Sequence, residues 1–359
     1  MRVEAALKGR GRVPRTASLR RSTTTRTRVC VVILAFLVSP LALQALTLKI
    51  GTLAPSGSPW VDALKQLAGD WERLSGGQVK LRIFAGGVAG EESDMVRKMR
   101  IGQLHGAALT QLGLSELAPG ILAFSVPFMI QSDDEFEYVL QRARPHFEAR
   151  IAEQEFRLLA LLGAGWVHFF ATQRLVYPDD LKHMKLGVPA GDDVFIAAWR
   201  KMGFEAVSLP ISDLLAGLQT GMIDAFYSPL LAAASFQWFH VARHVTGLEI
   251  APVVTGIVIP TRHFERIPED LRPVLMERLA LLEEELQVQT DRLDREATRV
   301  MQKHGLIVDE VPPEAVEQWK LLGSTGVSEV IGKSFTRESH TLLRGYLAEY
   351  RQQQTSSGQ

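Results

Sequence analysis

The chain has 359 residues, 46% of them apolar and 22% charged, which allows one large domain or two to three smaller ones, with ample material for a core. Its 40 basic residues balance 40 acidic ones, so no net field draws it to polyanions, and no nucleic-acid partner is expected. The only cysteine is Cys30, so everything after it lacks disulfides, thiol nucleophiles and thiolate metal sites, as suits an oxidising compartment.

The first 45 residues differ in kind from the rest. Met1 to Arg28 is rich in Arg, Ser and Thr with a single acid, Glu4, and an apolar run from Val29 to Leu43 leads to the small residue Ala45. Basic, then apolar, then small is the layout of a secretory signal peptide, so residues 1–45 are expected to be removed and the mature protein to be soluble in the periplasm. The run is short for a membrane span and is broken by Pro40. Its long basic leader leaves open a later translation start or a twin-arginine signal at Arg20-Arg21. Cys30 lies too early to be a lipid-modified residue at the cleavage site. No later segment reaches about 18 uninterrupted apolar residues.

Leu48 and Ile50 alternate with polar neighbours, and Pro55-Ser56-Gly57-Ser58-Pro59 then breaks the chain before a helix. Trp60, Leu64, Leu67, Trp71 and Leu74 recur at spacings of four and three, giving one apolar stripe that Ser75-Gly76-Gly77 ends. Val79, Leu81 and Ile83 alternate as a half-buried strand. A glycine-rich turn, Gly86-Gly87-Val88-Ala89-Gly90, opens a helix to about Ile101, and a short strand follows from Ala107 to Thr110. The same grammar returns later: strand Lys185 to Val188, a helix through Ile196 and Trp199, strand Ala206 to Leu209, a helix from Ser212, and strand Ile223 to Tyr227. Repeated strand, helix, strand predicts two α/β units.

From Pro268 to about His304 an apolar face carries Leu271, Leu275, Leu279, Leu282, Leu286, Leu293, Ala297 and Val300, with Glu269 and Asp270 in its first turn. A helix of about 35 residues is about 50 Å long and could brace two lobes. Two helices with a bend near Gln289 remain the alternative.

No Gly-x-Ser-x-Gly or His-Glu-x-x-His motif is present, and Gly86 to Gly90 is neither a phosphate loop nor a dinucleotide fingerprint. Those glycines suit a tight turn and close backbone approach to a ligand. His240 and His244 have metal-ligand spacing without a third ligand nearby. Glu91-Glu92 and Asp179-Asp180 suit helix first turns. No enzyme, cofactor or metal is expected.

Taken in order, Leu53-Ala54-Pro55-Ser56-Gly57-Ser58-Pro59, Gly76-Gly77-Gln78-Val79, Ala85 to Glu91, Val126-Pro127-Phe128, Pro178 to Lys182 and Leu218 to Asp224 carry a likeness that no one of them carries alone. The set resembles the extracytoplasmic solute receptors of TRAP (tripartite ATP-independent periplasmic) transporters, the DctP-like family, over essentially the whole mature chain. The resemblance implies an α/β, two-lobed periplasmic binding fold with crossing hinge strands and a long helix spanning both lobes. Lobe I would hold 46–165 with a return segment at about 253–292, lobe II 166–252 with a C-terminal segment at about 293–350, and 351–359 would be a flexible tail. The implied partners are a small-molecule ligand and TRAP permease membrane subunits, with an accessory periplasmic subunit left open. A periplasmic ligand sensor without transport is the other class.

Cleft residues implied by that fold are Ser56, Trp60, Gln111 and Phe128 on one side, and Trp166, Val167, His168, Gly187, Pro189, Phe226, Tyr227 and Ser228 on the other. Typical members carry an arginine where Gly187 stands, paired bidentately with the ligand carboxylate. Many have a second near Trp166 or Val167, where His168 is the nearest polar substitute, and an asparagine where Ser228 stands. With neither arginine present, and with Trp166, Phe169, Phe170, Phe226, Tyr227, Phe236, Trp238 and Phe239 near the cleft, a neutral or hydrophobic ligand is expected. The alternative is an organic acid held by a relocated arginine, with Arg174, Arg200 and Arg262 as candidates.

Overall fold

The alternation at Leu48 and Ile50 forms β1 (Leu46–Thr52) in a computed structural model that describes residues 45–191 and 193–357. The expected signal peptide lies outside the described residues. The stripe beginning at Trp60 forms α1 (Pro59–Leu74), started by Ser58, whose hydroxyl accepts from the Val61 N–H, and by proline in the first turn. Then come β2 (Val79–Phe84), α2 (Glu92–Arg100), β3 (Gly106–Thr110), α3 (Gln111–Ser115), α4 (Asp133–Glu153) and the 16-residue β4 (Phe156–Ala171). The second unit runs α5 (Pro178–Leu181), β5 (Lys185–Pro189), α6 (Asp193–Lys201), β6 (Glu205–Leu209), α7 (Leu214–Gln219), β7 (Ala225–Pro229), α8 (Leu230–Ser235) and β8 (His244–Thr246). After it come β9 (Pro252–Pro260), α9 (Thr261–Phe264), α10 (Arg272–Lys303), β10 (Ile307–Asp309), α11 (Pro313–Val330) and α12 (Arg337–Ser357).

Two sheets result, and β4 belongs to both. The first orders β2-β1-β3-β9-β4, with β1 parallel to β2 and β3, and β9 antiparallel to β3 and β4. The second orders β6-β5-β7-β4, with β8 and β10 beyond β4. Residues Phe156 to Trp166 of β4 pair with β9, whereas Val167 to Ala171 pair with β7. The register breaks between Gly163 and Trp166, and Gly165 sits there at φ 91°, a left-handed conformation that glycine adopts without strain. This is the two-lobed α/β fold with a crossing strand.

Helix α10 is one continuous element of 32 residues, so the segment does not divide into two helices near Gln289. It begins at Arg272, which leaves Glu269 and Asp270 outside its first turn. Leu275, Leu279, Leu282 and Ala297 are buried as expected, but Met301 rather than Val300 continues the face, because four residues beyond Ala297 closes the turn. Its polar side chains tie both lobes together. Arg278 reaches Asp70 of α1 at 2.6 Å, and Glu283 and Gln287 accept the Leu161 and Gly163 N–H groups of β4, each at 3.2 Å. Asp294 accepts from the Leu231 N–H of α8 at 3.1 Å.

The tail expected from residue 351 is instead part of α12. Arg351 clasps Glu135 of α4 through Nε (2.7 Å) and Nη2 (2.9 Å), and Tyr350 packs on Tyr138. The C-terminal segment thus returns to the first lobe.

A second buried feature sets an acid limit on this fold. His263 is 7% exposed, packs 4.5 Å from the His105 ring, and neither of its nitrogens has a partner among the described residues. Burial first, then His105, Arg262 and Arg266, push its pKa down to about 4. A base with a depressed folded pKa binds its proton better when unfolded, so stability is intact above about pH 6.5 and falls as pH drops toward 4, by about 1.4 kcal/mol per unit. Urea unfolding across that window is expected to show this slope, flattened in His263→Leu.

Candidate functional site

Both sheets present their strand ends to one cavity of about 330 Å³ between the lobes. Thr52 of β1, Ala108 to Thr110 of β3, Pro189 of β5, and Tyr227 to Pro229 of β7 line it. Carboxyl ends of strands are where α/β sheets place ligands, since loops can diverge there without breaking the sheet. The lobes meet around it. Trp60 of α1 packs on the second lobe's core, and Phe195 of α6 on the first lobe's. The Ser212 hydroxyl donates to Glu91 Oε1 at 2.9 Å, a further contact between the two α/β units.

The wall is apolar and aromatic, with Trp60, Phe128, Phe169, Phe195, Trp199, Tyr227, Phe236, Trp238 and Trp319 among its residues. Among the described lining residues there is no Lys, Arg or His, and the only acid is Glu92. Glu92 is buried, and its oxygens accept from Thr110 N, Thr110 Oγ1 and Gly113 N, each at 2.7 Å. Burial pushes its carboxyl up, and those hydrogen bonds pull it back only in part. The first-turn dipole reading of Glu92 therefore misses its main task, which is to fasten α2 to the start of α3. Glu92→Gln must turn an NH₂ group toward one of these buried N–H donors, so it is expected to cost about 1–3 kcal/mol in urea unfolding.

Of the residues expected in the cleft, Trp60, Gln111, Phe128, Val167, Pro189, Tyr227 and Ser228 line the cavity. Ser56, Trp166, His168, Gly187 and Phe226 do not. Ser56 is exposed in its turn. Trp166 faces the first lobe's core, its indole N–H donating to Asp133 Oδ1 at 2.7 Å. His168 is buried, with Nδ1 3.0 Å from the Thr246 carbonyl, and burial lowers its pKa. Successive strand residues face opposite ways, so Phe169 and Tyr227 line the cavity while Phe170 and Phe226 stack on each other in the core. Phe236 and Trp238 line the cavity, whereas Phe239 lies in the core.

Gly187 is closed off by its neighbour. A Cβ built there meets Ile223 Cδ1 at 2.7 Å, so Ile223 fills the room an arginine stem needs. None of the candidate relocated arginines reaches the cavity. Arg174 is exposed, Arg200 donates to the Ala206 carbonyl, and Arg262 donates to the Met99 and Arg100 carbonyls. The turn glycines Gly86, Gly87 and Gly90 take positive φ as expected of a tight turn, but they do not line the cavity. His240 and His244 fall in different elements, and His244 pairs with Asp309.

One wall was missed in the sequence. Trp319, Leu322, Gly323, Gly326, Val327 and Val330 of α11 line the cavity at helical spacing, and that stripe, with small residues in its middle, was a readable signal.

A model of the bacterial extracellular solute-binding proteins, family 7 (DctP), matches residues 50–331. The chain belongs to this family. A solute-binding protein of Roseobacter denitrificans is 24% identical over 243 residues, 67% of this chain and 74% of that one. The 2,3-diketo-L-gulonate-binding periplasmic protein YiaO of Escherichia coli is 23% identical over 244 residues, again 67% and 74% of the two chains. Among solved structures, the sugar acid binding protein DctPAm of Advenella mimigardefordensis in complex with galactonate superposes with a TM-score of 0.79 at 17% identity, covering 85% of this chain and 98% of that one. A TRAP periplasmic solute binding protein of Sulfurospirillum deleyianum with bound succinate gives 0.77 at 17%, covering 84% and 99%. As a DctP-family member the protein is a solute-binding receptor, not an enzyme.

Proposed function

We propose that this DctP-family receptor is exported to the periplasm, closes its lobes around a small organic acid with an apolar body, and delivers it to the membrane subunits of a TRAP-type secondary transporter. We also place the lobe boundary at the β4 corner, between residues 166 and 167, where pairing passes from β9 to β7. Solved relatives support the acid, since two of them hold galactonate and succinate. They give no support to the neutral ligand expected from Gly187.

The observation that shapes the proposal is the wall, aromatic and free of cationic side chains among the described lining residues. A bare carboxylate buried without a partner is strongly disfavoured, so the acid is taken up together with a proton, its head on neutral donors, and the apolar body supplies the binding energy. A second reading, a neutral molecule of similar shape, is favoured by the same missing cation.

Mass spectrometry of small molecules extracted from gently purified protein tests both. An acid with an apolar body is expected. A neutral apolar compound selects the second reading, and a polar dicarboxylate or sugar acid as the main species overturns both.

A further inference from the structure

Resting on that reading of the cavity, we infer that Ser125 is the donor that anchors the ligand's polar end, with Gln111 as its positioning residue. The argument starts at Val254 of β9. Its backbone N–H can only donate, and it meets Gln111 Oε1 at 2.8 Å. That contact fixes the amide orientation, so Gln111 Nε2 is the atom facing Ser125 Oγ, at 2.6 Å. Nε2 can only donate as well. Ser125 Oγ therefore accepts, its own proton must point elsewhere, and no acceptor for that proton is present among the described residues.

Both side chains line the cavity. A chain of donors running from the backbone through an amide to a hydroxyl polarises each member, so the last O–H is a stronger donor than an isolated serine. Three other hydroxyls of the wall are engaged, while the indole N–H of Trp199, which also lines the cavity, is a further donor without a partner among the described residues. Thr255 Oγ1 donates to the Leu109 carbonyl at 2.8 Å, Ser228 Oγ to the Pro229 carbonyl at 3.1 Å, and Thr110 Oγ1 to Glu92. The Ser125 hydroxyl selects a ligand carrying an acceptor oxygen, a carboxyl or carbonyl, at one end of an apolar body.

The test is calorimetric titration of the wild type, Ser125→Ala and Gln111→Met with octanoic acid, methyl octanoate and octane, alongside thermal unfolding. Ser125→Ala is expected to weaken the two acceptor-bearing probes about tenfold, as one polarised hydrogen bond implies, and to leave octane unchanged. Gln111→Met is expected to weaken the same two by a smaller factor, because the hydroxyl remains but turns freely. Ser125→Cys, a weaker donor of similar size, should fall between wild type and alanine. Equal weakening of all three probes assigns Ser125 a packing role and overturns the inference, as does unchanged binding of the acid and ester. If none of the three binds the wild type, it is the apolar-ligand reading that fails, and the inference goes with it.

Discussion

Lowering the pH from 8 to 6 is expected to tighten binding of octanoic acid about 100-fold and to leave methyl octanoate unchanged. With no cationic side chain among the described lining residues, the cavity cannot repay the desolvation of a carboxylate. Binding must then be accompanied by uptake of one proton, either on the ligand or on Glu92, whose carboxyl burial already pushes up and which a nearby anion pushes further. Above the ordinary carboxylate range each unit of pH changes the availability of that proton tenfold, so affinity rises as pH falls. Titrations at three pH values in buffers of different ionisation enthalpy measure the slope and the proton count together. A flat profile for the acid, without proton uptake, would show that the carboxylate is met as an anion.

Gly165→Ala is expected to cost about 2–5 kcal/mol in urea unfolding. Its φ of 91° alone costs a residue with a Cβ about 1–2 kcal/mol. The new Cβ would also sit 2.5 Å from Asp294 Oδ2, and moving that side chain disturbs the acceptor of the Leu231 N–H. Overpacking of this kind adds about 1–3 kcal/mol. Combining the change with Asp294→Ala should cost less than the sum of the two single variants, because the contact vanishes with either partner. A loss below about 1 kcal/mol for Gly165→Ala would mean the β4 corner yields easily and does not hold the lobes in register.

Much of this architecture is legible in the chain because it rests on local periodicity. The stripe from Trp60 to Trp71, the alternation from Val79 to Ile83, and the long face from Leu275 to Ala297 all formed the elements they predict. The cleft was harder to read, since pairs of adjacent aromatics such as Phe169-Phe170 and Phe226-Tyr227 do not declare which member faces inward. That depends on the register of β4 against β7. Trp166 turns away because of Asp133, and Gly187 is covered by Ile223, contacts that chain folding sets between separate elements. Arg351 meets Glu135 across most of the chain, which composition near the C terminus cannot reveal. Which residues face the cavity is thus set by contacts between elements far apart in the chain.

The fit of Ile223 over Gly187 also bears on how this binding site can change over generations. Gly187→Arg alone places a side chain into Ile223 Cδ1 and disrupts the second lobe before any benefit to an anionic ligand appears. Shrinking Ile223 alone opens a void in the same core. The two positions are therefore coupled, and an arginine at 187 calls for a smaller side chain at 223.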